Sequence, residues 1–238
     1  MSRNPLFLLY LLLIHLLLGV MLIKSDFLPR VLQKIDYAKY APEYSRHYKE
    51  MIQYHQYRDK QVTKGSVIFI GDSITEGLAV NAVAPNAVNY GIGADTTLGV
   101  LGRIKYYDSL NSAHAIVLAI GVNDLERRNN KEIIENFNKI FNKFPNDIPI
   151  LVSSILPIDE KIIQIGRNIN KRINRLNKKI KVLCDHKKSL TFLDSTQKFI
   201  DTKGNLLNSY HIGDGIHLSS KAYKIWIEQL KTALQDIY

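Results

Sequence analysis

Residues 67–77, VIFIGDSITEG, decide the fold of this chain. Their first four residues form a short apolar run rich in β-branched and aromatic side chains, which is typical of a strand buried on both faces. Gly71 permits a sharp turn, and the pair Asp72-Ser73 is a helix-start signal. We therefore expect Ser73 at the carboxyl end of a central strand, where open α/β sheets form their ligand crevices.

Ser73 has two interpretations at this point. A helix N-terminus offers free backbone N–H groups and a partial positive charge, which favour an oxyanion beside a nucleophilic serine. The run Ser73-Ile74-Thr75-Glu76 also fits the S-x-x-E capping box, which is a purely structural device. Taken alone, the stretch favours the structural interpretation, so the choice depends on the rest of the chain.

From residue 66 onward, short apolar strand patterns alternate with amphipathic helical patterns. Such alternation predicts a parallel sheet covered on both faces, which is a doubly wound, flavodoxin-like α/β/α sandwich with five central strands. The strand candidates are residues 67–70, 87–90, 115–120, 148–153 and 191–193, and the helix candidates are residues 98–109, 131–144, 167–187 and 219–238.

Composition limits the possible partners. The chain has 238 residues, 46% hydrophobic and 23% charged, which suits one globular domain with a full core. The net charge of +10 is compatible with nucleic acid or an anionic membrane surface. However, the Lys and Arg residues of the helix at 167–187 fall opposite its apolar stripe and have no interleaved aromatics. We expect no nucleic-acid partner, and the single Cys184 excludes an intrachain disulfide.

The amino terminus carries a membrane signal. Residues 6–23 are apolar except for Tyr10 and His15, and as a helix they would rise about 27 Å, close to a bilayer core. Arg3 supplies a positive n-region, so an export signal is one interpretation, but no small-x-small cleavage site follows. We favour an uncleaved single-pass anchor. Positive charges after the segment favour a cytoplasmic domain, whereas the short n-region and Leu-rich core favour an extracytoplasmic one, which is our expectation.

We divide the chain into three parts. Residues 1–25 are the anchor or uncleaved signal, residues 26–64 a helical connecting segment, and residues 65–238 the catalytic domain. In the connecting segment we expect a helix over about 43–58, on a tyrosine stripe that packs on the domain or lies near lipid headgroups. The stripe comprises Tyr37, Tyr40, Tyr44 and Tyr48.

Three further stretches lie where strands are predicted to end: 89–96 (NYGIGADT), 121–124 (GVND) and 214–219 (DGIHLS). Each alone is an ordinary turn. Together with Ser73, they place Asp214 and His217 at one sheet edge, which supplies a nucleophile, an orienting acid and a general base. The backbone N–H of Gly91 and the side-chain amide of Asn123 are donors suited to a tetrahedral oxyanion.

These four blocks, in this order, resemble the GDSL/SGNH hydrolase family of esterases and lipases. Gly71-Asp72-Ser73-Ile74-Thr75 is similar to the nucleophile block, although the family commonly has Leu where Ile74 stands. Gly91, the 121–124 stretch and Asp214-Gly215-Ile216-His217 are similar to the other three blocks. The resemblance covers residue 66 to the carboxyl end and excludes residues 1–64. No G-x-S-x-G elbow surrounds the serine, so the larger α/β-hydrolase class is not indicated.

The resemblance implies a serine esterase that forms an acyl-enzyme. Ser73, Asp214 and His217 would be the triad, and Ser73, Gly91 and Asn123 the oxyanion donors. No cofactor or metal is expected. The substrate would be a small ester, such as an acylated sugar, a lipid or a lysophospholipid. Alternatives are an O-acyltransferase that uses the same acyl-enzyme, a noncatalytic membrane-anchored binding module and a flavodoxin-like nucleotide or phosphate binder.

Overall fold

The computed structural model describes residues 4–24, 45–163, 165–166 and 168–237. The chain divides into two compact units, with the boundary between Lys49 and Glu50. Tyr37, Tyr40 and Tyr44 of the predicted stripe lie outside the described residues, as do Arg167 and Tyr238 at the ends of two predicted helices.

The first unit contains helix α1, Pro5–Lys24, which confirms the predicted apolar helix. Its stretch Pro5–Ile23 has a mean hydropathy of 2.8 and none of it is buried, so it is long and apolar enough to cross a membrane. A signal sequence near an N-terminus has the same properties. His15 satisfies its Nδ1–H on the carbonyl oxygen of Leu11, one turn earlier, at 2.6 Å.

The second unit is built on a five-stranded parallel sheet with the order β2-β1-β3-β4-β5. This order is that of flavodoxin-like doubly wound folds, whose switch point lies between β1 and β3. The predicted fold class and all five strands are confirmed. Their bounds are Val67–Gly71 (β1), Ala87–Gly91 (β2), Ala115–Ala119 (β3), Ile150–Ser153 (β4) and Leu190–Leu193 (β5).

Helices flank the sheet and complete the sandwich. They are the part of Arg46–Asp59 (α2) from Glu50 onward, the single turn Ser73–Glu76 (α3), Thr97–Arg103 (α4), Asn130–Lys143 (α5), Ile169–Asp185 (α6) and Ser220–Gln235 (α7). Apolar residues on α5, α6 and α7 are buried against the strands, and each fully buried Ile, Leu or Phe contributes about 1.5–3 kcal/mol.

One predicted helix is shorter than expected. Residues 98–109 were predicted as a single helix, but α4 ends at Arg103 and short 3₁₀ segments follow at Ile104–Tyr106 and Asp108–Ser112. Tyr107 between them has an extended backbone, with φ −112° and ψ 90°, which interrupts the helical path. This break lets the Tyr107 ring pack in the interior, where it is almost fully buried.

The part of α2 that lies in the second unit belongs to its core. His55 and Asp59 are both buried. His55 contacts Tyr107, and the carboxylate of Asp59 accepts hydrogen bonds from Tyr90 and from Ser109. Residues that we assigned to a connecting segment therefore supply buried polar contacts to the fold.

Candidate active site

Ser73 lies in the turn after β1, and its hydroxyl does not cap the helix that follows. Asp72 is the N-cap of α3, and its Oδ1 accepts the N–H of Ile74 at 3.0 Å. Ser73 is the first helical residue, so the capping box suggested by the sequence is not formed around it. Gly71 is required by space, since a Cβ there would lie 2.3 Å from the carbonyl oxygen of Ala119.

Ser73, His217 and Asp214 form one continuous chain of hydrogen bonds. Ser73 Oγ lies 2.8 Å from His217 Nε2, and His217 Nδ1 lies 2.5 Å from Asp214 Oδ2. The other carboxylate oxygen, Asp214 Oδ1, accepts the N–H groups of Ile216 and His217, each at 3.0 Å. The structure thus brings Ser73 together with two residues that lie more than 140 positions later in the sequence.

The charge of Asp214 fixes the tautomer of the histidine. Partial burial alone would raise the pKa of Asp214, but the N–H groups of Ile216 and His217 and the imidazole of His217 outweigh it and lower that pKa below its ordinary value. An ionised carboxylate can only accept, so His217 Nδ1 carries a hydrogen and donates it. His217 Nε2 is then the free acceptor that faces the Ser73 hydroxyl.

Gly91 does not present the free N–H that we expected of it. Its N–H donates to Asn89 Oδ1 at 2.8 Å. The amide group of Asn89 in turn donates to the carbonyl oxygens of Thr75 at 2.7 Å and Leu78 at 3.1 Å, which ties β2 to the end of α3. A Cβ on Gly91 would lie 2.3 Å from the backbone nitrogen of Glu76. The glycine is therefore needed for close packing, and its oxyanion assignment is corrected.

The structure offers Ala94 as a different backbone donor. Ala94 is exposed and has a φ of +61°, which is an unusual conformation for a residue with a Cβ. Among the described residues, no acceptor is bonded to its N–H. The sequence signal was the loop Gly91-Ile92-Gly93-Ala94, but composition does not tell which of its four N–H groups is used within the fold.

Asn123 is joined to the same loop. Its Nδ2 donates one hydrogen to the carbonyl oxygen of Asp95, next to Ala94, at 2.9 Å. An amide NH₂ has two hydrogens, so the second is available to another acceptor. The carbonyl oxygen of Asn123 accepts from Arg127 Nη1 at 2.8 Å, which fixes the residue from its other side.

A buried arginine, which the sequence did not single out, connects the nucleophile turn to this loop. Arg103 is fully buried. Its Nε donates to Asp95 Oδ2 at 2.8 Å, its Nη2 donates to the carbonyl oxygen of Gly71 at 3.0 Å, and its Nη1 donates to Tyr107 Oη at 3.0 Å. The planar guanidinium suits such a fixed set of acceptors. It thereby holds together two segments that approach the site from β1 and from β2.

Tyr107, which binds Arg103, also contacts His55 of α2. Its hydroxyl lies 3.2 Å from His55 Nδ1, and its ring stacks on Tyr90 with centroids 4.4 Å apart. Burial, together with the charges of Arg103 and Arg58, lowers the pKa of His55 to about 3. His55 is therefore neutral at physiological pH and can remain in this interior without a counter-ion.

Two buried carboxyl groups, those of Asp72 and Asp124, are next in sequence to Ser73 and Asn123. Burial raises the pKa of Asp72 to about 7, and the nearby carboxylates of Asp95 and Asp124 act in the same direction. Burial also raises the pKa of Asp124, although Thr97 and Arg128 bind it directly. The turn that carries Ser73 therefore begins with a carboxyl group that ionises only near neutral pH.

The candidate site does not coincide with a large cavity. A groove of about 710 Å³ runs along β5 and α7 and is lined by none of the candidate site residues. A cavity of about 20 Å³, the space of a single water, lies beside Asp72, Ile74 and Trp226. Within the described ranges, no group of three His, Cys, Asp or Glu side chains could hold a metal ion.

Residues 69–225 match the GDSL-like Lipase/Acylhydrolase family, and the chain belongs to that family. It is an ester-hydrolysing enzyme on an α/β fold. Platelet-activating factor acetylhydrolase IB subunit alpha2 of Homo sapiens is 28% identical over 166 residues, which are 66% of this chain and 70% of that protein. The Gallus gallus protein of the same name is 29% identical over 167 residues, with the same coverage.

Solved structures agree on the fold. The structure of a Streptococcus pneumonia protein named as a platelet activating factor superposes with a TM-score of 0.73 at 25% identity, covering 79% of this chain and 93% of that one. A GDSL-like lipase from Bacteroides thetaiotaomicron superposes with a TM-score of 0.66 at 19% identity, covering 79% and 98%. Family membership in an enzyme class removes the noncatalytic binding module and the phosphate binder from consideration.

Proposed function

We propose that this enzyme hydrolyses carboxylic O-acyl esters through a Ser73–His217–Asp214 triad and an acyl-enzyme intermediate. The observation that carries the proposal is a pair of contacts on the two nitrogens of one imidazole. Ser73 Oγ lies 2.8 Å from His217 Nε2, and Asp214 Oδ2 lies 2.5 Å from His217 Nδ1. A nucleophile, a base within hydrogen-bond reach and a third group that orients the base are the arrangement that acyl transfer requires.

In the first half-reaction, Ser73 Oγ attacks the ester carbonyl carbon while His217 Nε2 takes the hydroxyl proton. The C=O π electrons move to the oxygen, and the tetrahedral intermediate collapses with cleavage of the C–O bond to the alcohol. His217 returns the proton to the leaving alkoxide. In the second half, water attacks the acyl carbon while His217 Nε2 takes one of its protons. The bond between the acyl carbon and Ser73 Oγ then breaks, His217 returns the proton to Oγ, and the acid leaves. Asp214 stabilises the imidazolium that forms in each half.

Three donors would hold the oxyanion. They are the N–H of Ser73 at the start of α3, the N–H of Ala94 in place of that of Gly91, and the second hydrogen of Asn123 Nδ2. Among the described residues neither backbone N–H has an acceptor, and Asn123 is held beside Ala94 by the carbonyl of Asp95. Preorganised donors of this kind need no rearrangement when the charge develops.

The curated relatives are named for removal of an acetyl group, so we infer that short acyl esters are the preferred class. The test is a series of p-nitrophenyl esters from acetate to decanoate, hydrolysed by the wild-type protein and by Ser73→Ala. Activity that is highest on acetate and absent in the variant supports the proposal. Equal activity of the two proteins would remove Ser73 as the nucleophile, and a preference for decanoate would remove the short-acyl assignment.

Acyl transfer is the second candidate, because the His217 and Asp214 side chains are each 41% exposed, which leaves the acyl-enzyme open to an alcohol as well as to water. A labelled acetyl donor, supplied with and without a sugar alcohol acceptor, distinguishes the two. Free labelled acetate in both reactions indicates hydrolysis. A labelled acetyl-sugar, formed at the expense of acetate, would make the protein a transferase.

We also propose that α1 is an uncleaved single-pass anchor that holds residues 65–238, the catalytic part, outside the cytoplasm. Burying the leucines of this helix in lipid outweighs the cost of one neutral histidine. The full chain should stay in the membrane fraction through high salt and alkaline wash, and protease should digest the catalytic part in spheroplasts. Release by salt would indicate attachment by the net positive charge, and a shortened chain would indicate a cleaved signal.

A further inference from the structure

A second histidine, His211, lies inside the segment that carries two of the three proposed triad residues. This catalytic loop, residues 211–218, is closed at its ends by a bridge between His211 and Leu218. The side chain of His211 is completely buried. Its Nδ1 accepts the backbone N–H of Gly213 at 3.0 Å and that of Gly215 at 3.2 Å. These two glycines flank Asp214 on both sides.

The backbone at these glycines has little intrinsic preference for the conformation it adopts. Gly213 has a φ of +110° and Gly215 a φ of +81°, values that L side chains rarely adopt. Glycine reaches them without strain, but it also loses more conformational entropy on ordering than any other residue. Fixing the direction of Asp214 therefore depends on bonds from outside the two glycines, and the imidazole of His211 supplies one to each of them.

The chemical state of His211 follows from the same contacts. Two N–H groups point at Nδ1, so Nδ1 has a lone pair and the ring hydrogen is on Nε2. Nε2 faces Asp159 Oδ2 at 3.6 Å, which is longer than a hydrogen bond. The backbone N–H of Asp159 donates to the carbonyl oxygen of Gly215 at 2.8 Å. The loop is thus held by His211 Nδ1 at its two glycines and by Asp159, in the segment after β4, at the carbonyl oxygen of Gly215.

We propose that His211 is a positioning residue for catalysis: its Nδ1 holds Gly213 and Gly215 and thereby aims the Asp214 carboxylate at His217. This rests on the proposed triad. Asp214 Oδ1 already binds the N–H groups of Ile216 and His217, so a shift of the loop at Gly213 or Gly215 would move Oδ2 relative to the imidazole. His211 itself contacts neither the substrate nor the reacting atoms.

Three substitutions separate acceptor geometry from packing. In His211→Asn, the amide oxygen is attached at the position of Nδ1 and can accept both N–H groups. In His211→Gln, the amide lies one bond farther out, at the position of Nε2. In His211→Leu, similar volume is kept and the acceptor is lost. We expect Asn to retain most of kcat, and Gln and Leu to lower kcat by about 10²-fold with little change in KM, because misplacement of a catalytic group by about 1 Å has that effect.

A readout that does not use activity accompanies the kinetics. Hydrogen exchange of the 211–218 peptide should accelerate in the Gln and Leu variants and stay near wild type in Asn, with exchange in β1 unchanged in all three. If Leu fails to fold, the Asn and Gln pair decides. Equal kcat and equal exchange in Asn and Gln would overturn the proposal. If the wild-type protein hydrolyses no ester, the proposed function fails, while the exchange data still decide whether His211 holds the loop.

Discussion

Asp72→Asn should stabilise the protein at neutral and alkaline pH. Asp72 is fully buried at the start of α3, and its Oδ1 accepts the N–H of Ile74. An asparagine presents the same acceptor and keeps the cap, since Asn and Asp cap helices about equally well. What the substitution removes is a carboxyl group that must be ionised in the interior at high pH.

The magnitude follows from the pKa of the Asp72 carboxyl. Its ordinary value of 3.8 is raised to about 7 in the folded protein. Between these values the unfolded chain releases the proton and the folded protein keeps it, so the stability of the wild-type protein falls as the pH rises from about 4 to 7 and then levels off. A difference of about three pKa units corresponds to at most about 4 kcal/mol. The asparagine variant has no carboxyl group at this position, so its free energy of unfolding does not fall by this amount as the pH rises.

The assay is urea unfolding between pH 4 and pH 8, followed by the fluorescence of Trp226, the single tryptophan, which is buried. The variant should match the wild-type protein near pH 4 and exceed it above pH 7, with the gap opening between. Asp147→Asn, in an exposed position, is the matched control and should keep the wild-type pH dependence. Parallel curves for wild type and Asp72→Asn across this window would refute the reasoning.

Three further substitutions test the proposed site. Asn123→Ala should lower kcat by about 10²–10³ in steady-state kinetics and change KM less, because it removes a proposed oxyanion donor; a changed KM alone would make Asn123 a binding residue. Ala94→Gly should raise the free energy of unfolding in urea by about 1 kcal/mol, because the positive φ suits glycine, and keep kcat; a lower stability would contradict the strain. Arg103→Lys should lower the free energy of unfolding by about 3 kcal/mol or more, since one ammonium cannot replace the fork that binds Asp95, Gly71 and Tyr107; unchanged stability would contradict the role of this network.

The strands were predictable because their signals are local. The run at 67–70 is apolar on both faces and is followed by Gly71, and β1 occupies Val67–Gly71 between β2 and β3 in the sheet. The observed strand order is one of a few that right-handed crossover connections permit for alternating strands and helices, and the alternation alone does not select it. The helix after β2 was predicted too long, because the interruption at Tyr107 comes from burial of its ring beside His55 and Arg103 rather than from a local breaker residue.

The site was predictable where side chains carry the chemistry and less so where the backbone does. Ser73, Asp214 and His217 are residue types with few substitutes for the proposed triad roles, so their types and order were informative. The sequence favoured Gly91 as a donor, but its N–H is bonded to the Asn89 side chain in the folded chain. Ala94 has no sequence signal for a positive φ. Arg103 binds the carbonyl oxygen of Gly71, which is far from it in the sequence, so this contact exists only in the folded chain. His211 binds glycines two and four positions later, but residue types alone do not show that its imidazole turns back onto their N–H groups.

The most direct test of the proposed mechanism is the mass of the protein after reaction with a fluorophosphonate, followed by peptide mapping. This reagent modifies a serine that a neighbouring base has activated. We expect a single adduct on the peptide that contains Ser73, slow formation of it in His217→Ala, and none in Ser73→Ala. An adduct on another residue, or an unmodified wild-type protein that still hydrolyses esters, would contradict Ser73 as the nucleophile.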